Sequence, residues 1–285
     1  MAKGSKFKRL VLEVSHYATS SHGMRFGAEL ARLLELDLLG LFVKQERLLN
    51  LAALPFIREF RPLDGGWRQL NFDQLSRDLE IAATNAERAF TQAAKTLSTV
   101  CQFEVVQGST IDTIAAVSRP GDIILLVEEP TSSAAGGSPQ LIAMLDAAFQ
   151  SSAAVLLVPM RIARQAGTIV AIATEPDDAS IDIASAIAGA AKEDLIVIET
   201  FVPRDENATY QARLPDGIRV KRVSATRDRN QPLDPLLVTS ALRHVKERLL
   251  VMTRGDDAVA SMIAAIRHVP ILIVEPQRND EAAAA

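Results

Sequence analysis

Apolar residues recur along this chain with two periods that take turns, and the alternation predicts a succession of strands and helices. Positions 8–14 are β-rich. Positions 23–34 carry Met24, Phe26, Ala28, Leu30, Ala31 and Leu34 at helical spacing, and 38–43 form a second apolar strand. A long helix is expected over 75–97, with Leu79, Ala82, Ala83, Ala86, Phe90, Ala93, Ala94 and Leu97 on one side. There follow a strand at 103–106, a short helix at 110–117, the strand IILLV at 123–127, a helix at 139–149 and the strand VLLV at 155–158. Uniformly apolar strands are what a parallel sheet covered on both faces requires.

After a polar linker, 161–167, the same order restarts. Strands are expected at 168–173, 195–201, 218–225, 249–252 and 271–274, and helices at 179–191, 233–246 and 258–267. Each half supplies five strands, so the reading is two tandem α/β domains, 1–160 and 167–277, with a tail at 278–285. The halves differ in one respect: the connection from second to third strand is roughly forty residues shorter in the second half, which lacks the long helix. The polar stretch 202–217, with Pro203 and Pro215, is just long enough for a parallel crossover.

One segment is longer than a packed domain needs. The insert ERLLNLAALPFIREFRPLDGGWRQLN, 46–71, carries Leu48, Leu49, Leu51, Leu54, Phe56, Ile57, Phe60 and the only tryptophan, Trp67. Leu48, Leu51, Ala52 and Phe56 are expected on one face of a short helix broken before Pro55. That face has to cover its own sheet, the twin half or a protein partner.

The stretches RLVLEVS at 9–15, DIILLV at 122–127, AAVLLVP at 153–159 and IRHVPILIVEP at 266–276 resemble the universal stress protein family, in tandem. The resemblance covers nearly the whole chain. It implies doubly wound domains, each with five parallel strands in the order 3-2-1-4-5 flanked by helices. It also implies that the halves associate about a pseudo-twofold axis through their last strands, 155–158 and 271–273, with a homodimer as a further expectation. Nucleotide-binding members of the family place an Asp at the end of strand one and a glycine-rich loop after strand four, whose N–H groups hold phosphates. Here the strand-one positions are Ser15 and Ala173. The first strand-four loop reads EEPTSSAAGGSPQL, with Glu128, Glu129 and Pro130 where small neutral residues would admit a polyphosphate. Its remnant is Gly136, Gly137 and Ser138, which the helix start at Ser138 and Pro139 explains by capping alone. In the second loop, Thr253, Arg254 and Gly255 suit an anion, but Asp256 and Asp257 follow at once as good helix-starting residues.

Other chemistry is sparse. Ser15 and His16 are neighbours with no third group to orient the imidazole, so Ser15, His16 and Tyr17 read as a turn. His22, His244 and His268 stand singly, without metal-ligand spacing, and no metal is expected. Asp177 and Asp178 are expected to stabilise the helix that follows them. Cys101 reads as an inert buried thiol. The chain has 285 residues, 48% hydrophobic and 23% charged, with a formal charge of -4, which gives no reason to bind nucleic acid despite Lys3, Lys6, Lys8 and Arg9. No signal-length apolar run or membrane-spanning window occurs, and one cysteine suits the cytoplasm.

The resulting expectation is a universal stress protein-like regulatory or protein-interaction module, without catalysis, in which ATP binding is weak or lost. The alternative keeps ATP or AMP, held through Ser15 with Gly136, Gly137 and Ser138, or through Thr253 to Gly255. An enzyme of the related adenine nucleotide hydrolase type lacks an acid, base or metal constellation in the sequence.

Overall fold

The computed structural model describes residues 7–14, 21–61, 65–96, 100–127, 139–159, 161–201, 219–224 and 233–276. Ten of the strands form one sheet. In the first half these are β1 (Arg9–Glu13), β2 (Asp37–Gln45), β5 (Cys101–Gly108), β6 (Asp122–Val127) and β7 (Ala154–Val158). In the second they are β8 (Thr168–Ala173), β9 (Leu195–Glu199), β10 (Val220–Ser224), β11 (Glu247–Thr253) and β12 (Ile271–Val274). The sheet order is β10-β9-β8-β11-β12-β7-β6-β1-β2-β5, so each half reads 3-2-1-4-5 and every pairing within a half is parallel.

The halves join where β12 meets β7, the one antiparallel pairing of this sheet: Ile271 faces Leu157, Leu272 faces Leu156, and Ile273 faces Val155. A local twofold passes through the Leu156 and Leu272 pair. All six residues are fully buried, each aliphatic side chain contributing about 1.5–3 kcal/mol of transfer free energy. The alternating pleat sends Leu156 and Leu272 to one face and the other four to the opposite face.

Helices cover both faces. On one side lie α1 (Ser21–Leu33), α3 (Phe72–Thr96) and α6 (Ala179–Ala191); on the other lie α4 (Thr110–Val117), α5 (Pro139–Gln150), α7 (Pro235–Ala241) and α8 (Asp257–Arg267). The long α3 reaches the sheet over Gly40. A Cβ there would stand 2.7 Å from the Phe103 ring and 3.1 Å from the Phe90 ring, which pack 5.8 Å apart. Helices α1, α5, α6 and α8 are each followed closely by a non-glycine residue at positive φ, Glu35, Ser152, Lys192 and His268. The repeat therefore extends to how helices end.

Three boundaries differ from the sequence reading. The helix expected over 233–246 stops at Ala241, because 242–246 turn so that Glu247, fully buried, opens β11 and meets Arg267 Nε at 2.7 Å and Arg164 at 3.6 Å. Arg267 also donates to the Leu242 carbonyl at 3.0 Å. In the insert, α2 (Glu46–Ala52) buries Leu49 and Ala52 and leaves Leu48 and Leu51 exposed, so the covering face is one residue round from the expected set. Phe56 lies outside that helix. A two-stranded hairpin follows, β3 (Arg58–Arg61) with β4 (Gly66–Gln69), which the sequence reading lacked. The expected crossover at 202–217 lies outside the described residues.

Arg248, also buried, ties the halves on the α1 side of the sheet. It donates to Glu29 on α1 at 2.9 Å and to Glu193 after α6 at 3.2 Å, with its guanidinium 5.8 Å from the Phe26 ring. Glu193 in turn accepts from the Gly167 N–H. Gly167 has φ +142°, and a Cβ there would lie 2.1 Å from the Lys246 carbonyl oxygen. Gly167→Ala is therefore expected to cost more than about 1 kcal/mol in urea denaturation. Gly108→Ala, whose new Cβ meets only ordinary contacts, is expected to stay within about 0.5 kcal/mol. Equal losses would contradict the packing at Gly167.

Candidate functional site

In doubly wound sheets a ligand enters beyond the carboxyl ends of the strands, where the order reverses. In the second half this is the mouth between β8, β9 and β11. Asp178 occupies it. Its side chain is 3% exposed and accepts four hydrogen bonds: Oδ2 from Thr174 N (2.8 Å), Thr174 Oγ1 (3.0 Å) and Thr253 Oγ1 (3.2 Å), and Oδ1 from Ser180 N (2.9 Å). A carboxylate offers about four lone-pair positions over two oxygens; here three bonds converge on Oδ2 and one reaches Oδ1. The Oδ1 bond caps α6, where the sequence reading expected stabilisation through the helix dipole. The Oδ2 bonds go further and stitch β8 to β11. Alongside, Thr200 donates both N–H and Oγ1 to the Ala173 carbonyl at 3.0 Å, and Ser180 Oγ donates to the Ile172 carbonyl.

Thr253 ends β11, and Arg254 and Gly255 form the turn that follows. Thr253 directs its hydroxyl at Asp178. Arg254 uses its backbone N–H on the Val274 carbonyl and its guanidinium on Glu275 at 3.2 Å, and lies 4.5 Å from the centre of the Phe149 ring at the end of α5. Its charge thus faces the first half rather than the crevice. Gly255, at φ +137°, directs its N–H at Asp257 Oδ1, 3.5 Å away. Asp256 precedes α8 without capping it and accepts from Leu233 N instead.

Of the other candidate positions, Ser15, Gly136, Gly137 and Ser138, together with His16, Tyr17, Glu128, Glu129 and Pro130, lie outside the described residues. The structure supplies the helix that begins at Pro139. His268 ends α8 in the left-handed region, with its carbonyl accepting from Ala163 N. Cys101 opens β5, partly exposed and without a disulfide. Among the described residues no three His, Cys, Asp or Glu side chains are grouped to hold a metal, and no helix is long and apolar enough to cross a membrane. Sequence reasoning missed the reach of Asp178. Its bond to Thr253 spans 75 positions, a separation no local pattern encodes.

One carboxyl beside the turn after β11 has a perturbed affinity for its proton. Burial pushes the Asp257 carboxyl above its ordinary value of 3.8; the Gly255 N–H and Arg254 pull it back, while Asp146 on α5 and Asp256 push it further up. A carboxyl raised on folding adds stability below its unfolded value, and that contribution is lost as pH rises through the folded value. Asp257→Asn is therefore expected to raise the melting temperature relative to the parent at about pH 7, with the gain gone near pH 3. A gain independent of pH would contradict the assignment.

No family model matches the chain, and no curated protein matches it. Solved structures do. A universal stress protein from Archaeoglobus fulgidus DSM 4304 superposes with a TM-score of 0.67 at 11% identity, over 95% of this chain and 97% of that one. A functionally unknown protein, PA1789, from Pseudomonas aeruginosa PAO1 superposes with a TM-score of 0.50 at 12% identity, over 95% and 93% of the two chains. With two five-stranded units along one polypeptide, the fold of this chain is that of a tandem universal stress protein.

Proposed function

We propose that this chain is a universal stress protein-like regulatory, protein-interaction module of the cytoplasm, without catalysis of its own and with ATP binding weakened or lost. The observation that carries the reading is Asp178. A phosphoryl group placed against Thr253 would meet a buried carboxylate that accepts the Thr253 hydroxyl and has no hydrogen to donate. At 4 Å and an effective dielectric of 20, that repulsion is about 4 kcal/mol per unit charge. The cation that would offset it, Arg254, is engaged by Glu275 and Phe149. Two further carboxylates, Asp256 and Asp257, flank the same turn. The Glu128, Glu129 and Pro130 of the first strand-four loop supply the parallel argument at the level of sequence.

Thermal denaturation of the full chain with ATP or AMP, each with and without Mg²⁺, tests this. A ligand at 100 times its Kd would add about 2.7 kcal/mol of stability, and the expected result at millimolar nucleotide is no shift. A clear shift would overturn the reading. If that shift disappeared in Thr253→Val, the nucleotide would be placed in the second half; if it persisted, in the first.

A further inference from the structure

We propose that the edge of the second half at which its strands begin is a docking surface for an acidic protein segment, an extended run of about six residues rich in Asp and Glu. This rests on the interaction reading above and names the partner's chemistry.

Five cations line that edge. Arg219 leads into β10, Lys192 precedes β9, Arg243 and Lys246 precede β11, and Arg161 opens the linker, whose Ala163 N–H meets the His268 carbonyl just ahead of β12. Backbone hydrogen bonds set the strand entries side by side: Leu195 donates to Arg219, Ile169 to Asp194 and Thr168 to Lys246, at 2.9–3.0 Å. All five cations are exposed, and none forms an ion pair among the described residues. Arg248, Arg164 and Arg267, by contrast, are engaged by Glu193 and Glu247. Asp194 is the exposed acid of the row. Five cations against this one acid give +4, which leaves -8 on the rest of a chain of net charge -4.

The fold does not impose this charge, because the first half makes the same strand entries with other residues. Leu38 donates to the Val100 carbonyl as Leu195 does to that of Arg219, and Lys8 to the Gly121 carbonyl as Thr168 does to that of Lys246. Glu35 follows α1 at positive φ as Lys192 follows α6. A helix C-terminus favours a cation, yet an acid serves there in the first half. Lys192, Arg219 and Lys246 therefore answer something other than folding. Since the halves join antiparallel, the two edges face opposite ways, and the basic row belongs to one side of the molecule.

Its dimensions and setting favour an acidic peptide. Five strand entries at about 4.8 Å span about 19 Å, the length of about six extended residues. A segment of that size meets the row alone, whereas a nucleic acid or an anionic membrane extends past it to a body of its own sign. Single-stranded nucleic acid is also held by stacked aromatic rings. Among the described residues the exposed aromatics, Phe56, Phe60, Trp67 and Phe72, all lie in the first half.

Fluorescence anisotropy of a labelled hexaglutamate peptide with the full chain tests this. Saturable binding is expected at about 20 mM salt and its loss at about 500 mM, with hexaglutamine unbound at either. Lys192→Glu with Arg219→Val, which installs the first half's residues, is expected to weaken binding about fivefold or more, with the circular dichroism spectrum unchanged. Should that variant not fold, Arg161→Gln with Arg243→Gln removes two exposed charges of the same row and is expected to weaken binding about threefold or more. Arg32→Gln with Arg119→Gln, exposed on the corresponding edge of the first half, is expected to leave it as it was. No binding of hexaglutamate, binding that the row's variants do not weaken, an equal loss in the first-half variant, or tighter binding of oligothymidylate or of anionic phospholipid vesicles would each overturn the inference. So would self-association of the chain that the row's variants abolish. Nucleotide binding is read through Thr253 at the opposite edge of the second half, so the two readings fail separately.

Discussion

The structure depends on the pairing of two strands that would otherwise be apolar edges. Had Val155, Leu156 and Leu157 or Ile271, Leu272 and Ile273 been left at a margin, each would have been an open template for aggregation. Joining them antiparallel buries both margins at once and makes one ten-stranded sheet. It also reverses strand direction at the centre, so the carboxyl edge of the second half lies beside the amino edge of the first. That placement explains Arg254. The turn after β11 abuts the end of α5, where Phe149 and Asp146 stand, and the guanidinium settles over the ring and against Glu275 rather than over its own crevice. A residue that sequence places at a ligand position is drawn away by the fusion of the halves.

The same logic governs the crevice itself. A strand-one aspartate is absent at Ala173, but a carboxylate has not left the neighbourhood: Asp178, five residues on, returns to bond Thr174, Ser180 and Thr253. Directed outward, it would be free to meet a ribose hydroxyl. Directed inward, it holds β8, α6 and β11 together through four accepted hydrogen bonds. What the molecule leaves open to solvent is the aromatic hairpin, far along the chain from any of these groups.

Much of this was legible in the sequence for a definite reason. Strands covered on both faces are uniformly apolar, so DIILLV and ILIV announced themselves, and the helices at 110–117 and 179–191 followed from spacing and flanking polar residues. Legibility failed where buried polar contacts override local pattern. Helix α7 stops short because the turn at 242–246 serves the Glu247 and Arg267 pair, and nothing in RHVKE reveals a carboxylate headed for the core. The hairpin hides behind the leucines of the insert, whose spacing is helical; Asp64-Gly65 is a turn signal, and Gly65 adopts φ +61°. At the site, Thr253, Arg254 and Gly255 were identifiable as residue types, but which way each points depends on Phe149, Glu275 and Asp178, all distant in sequence.

The proposed weakening or loss of adenine nucleotide binding can be measured directly. The method is native mass spectrometry of the full chain, purified from cells without denaturant. The account predicts polypeptide species with no added adenylate. A population heavier by one AMP or ATP per chain would contradict it.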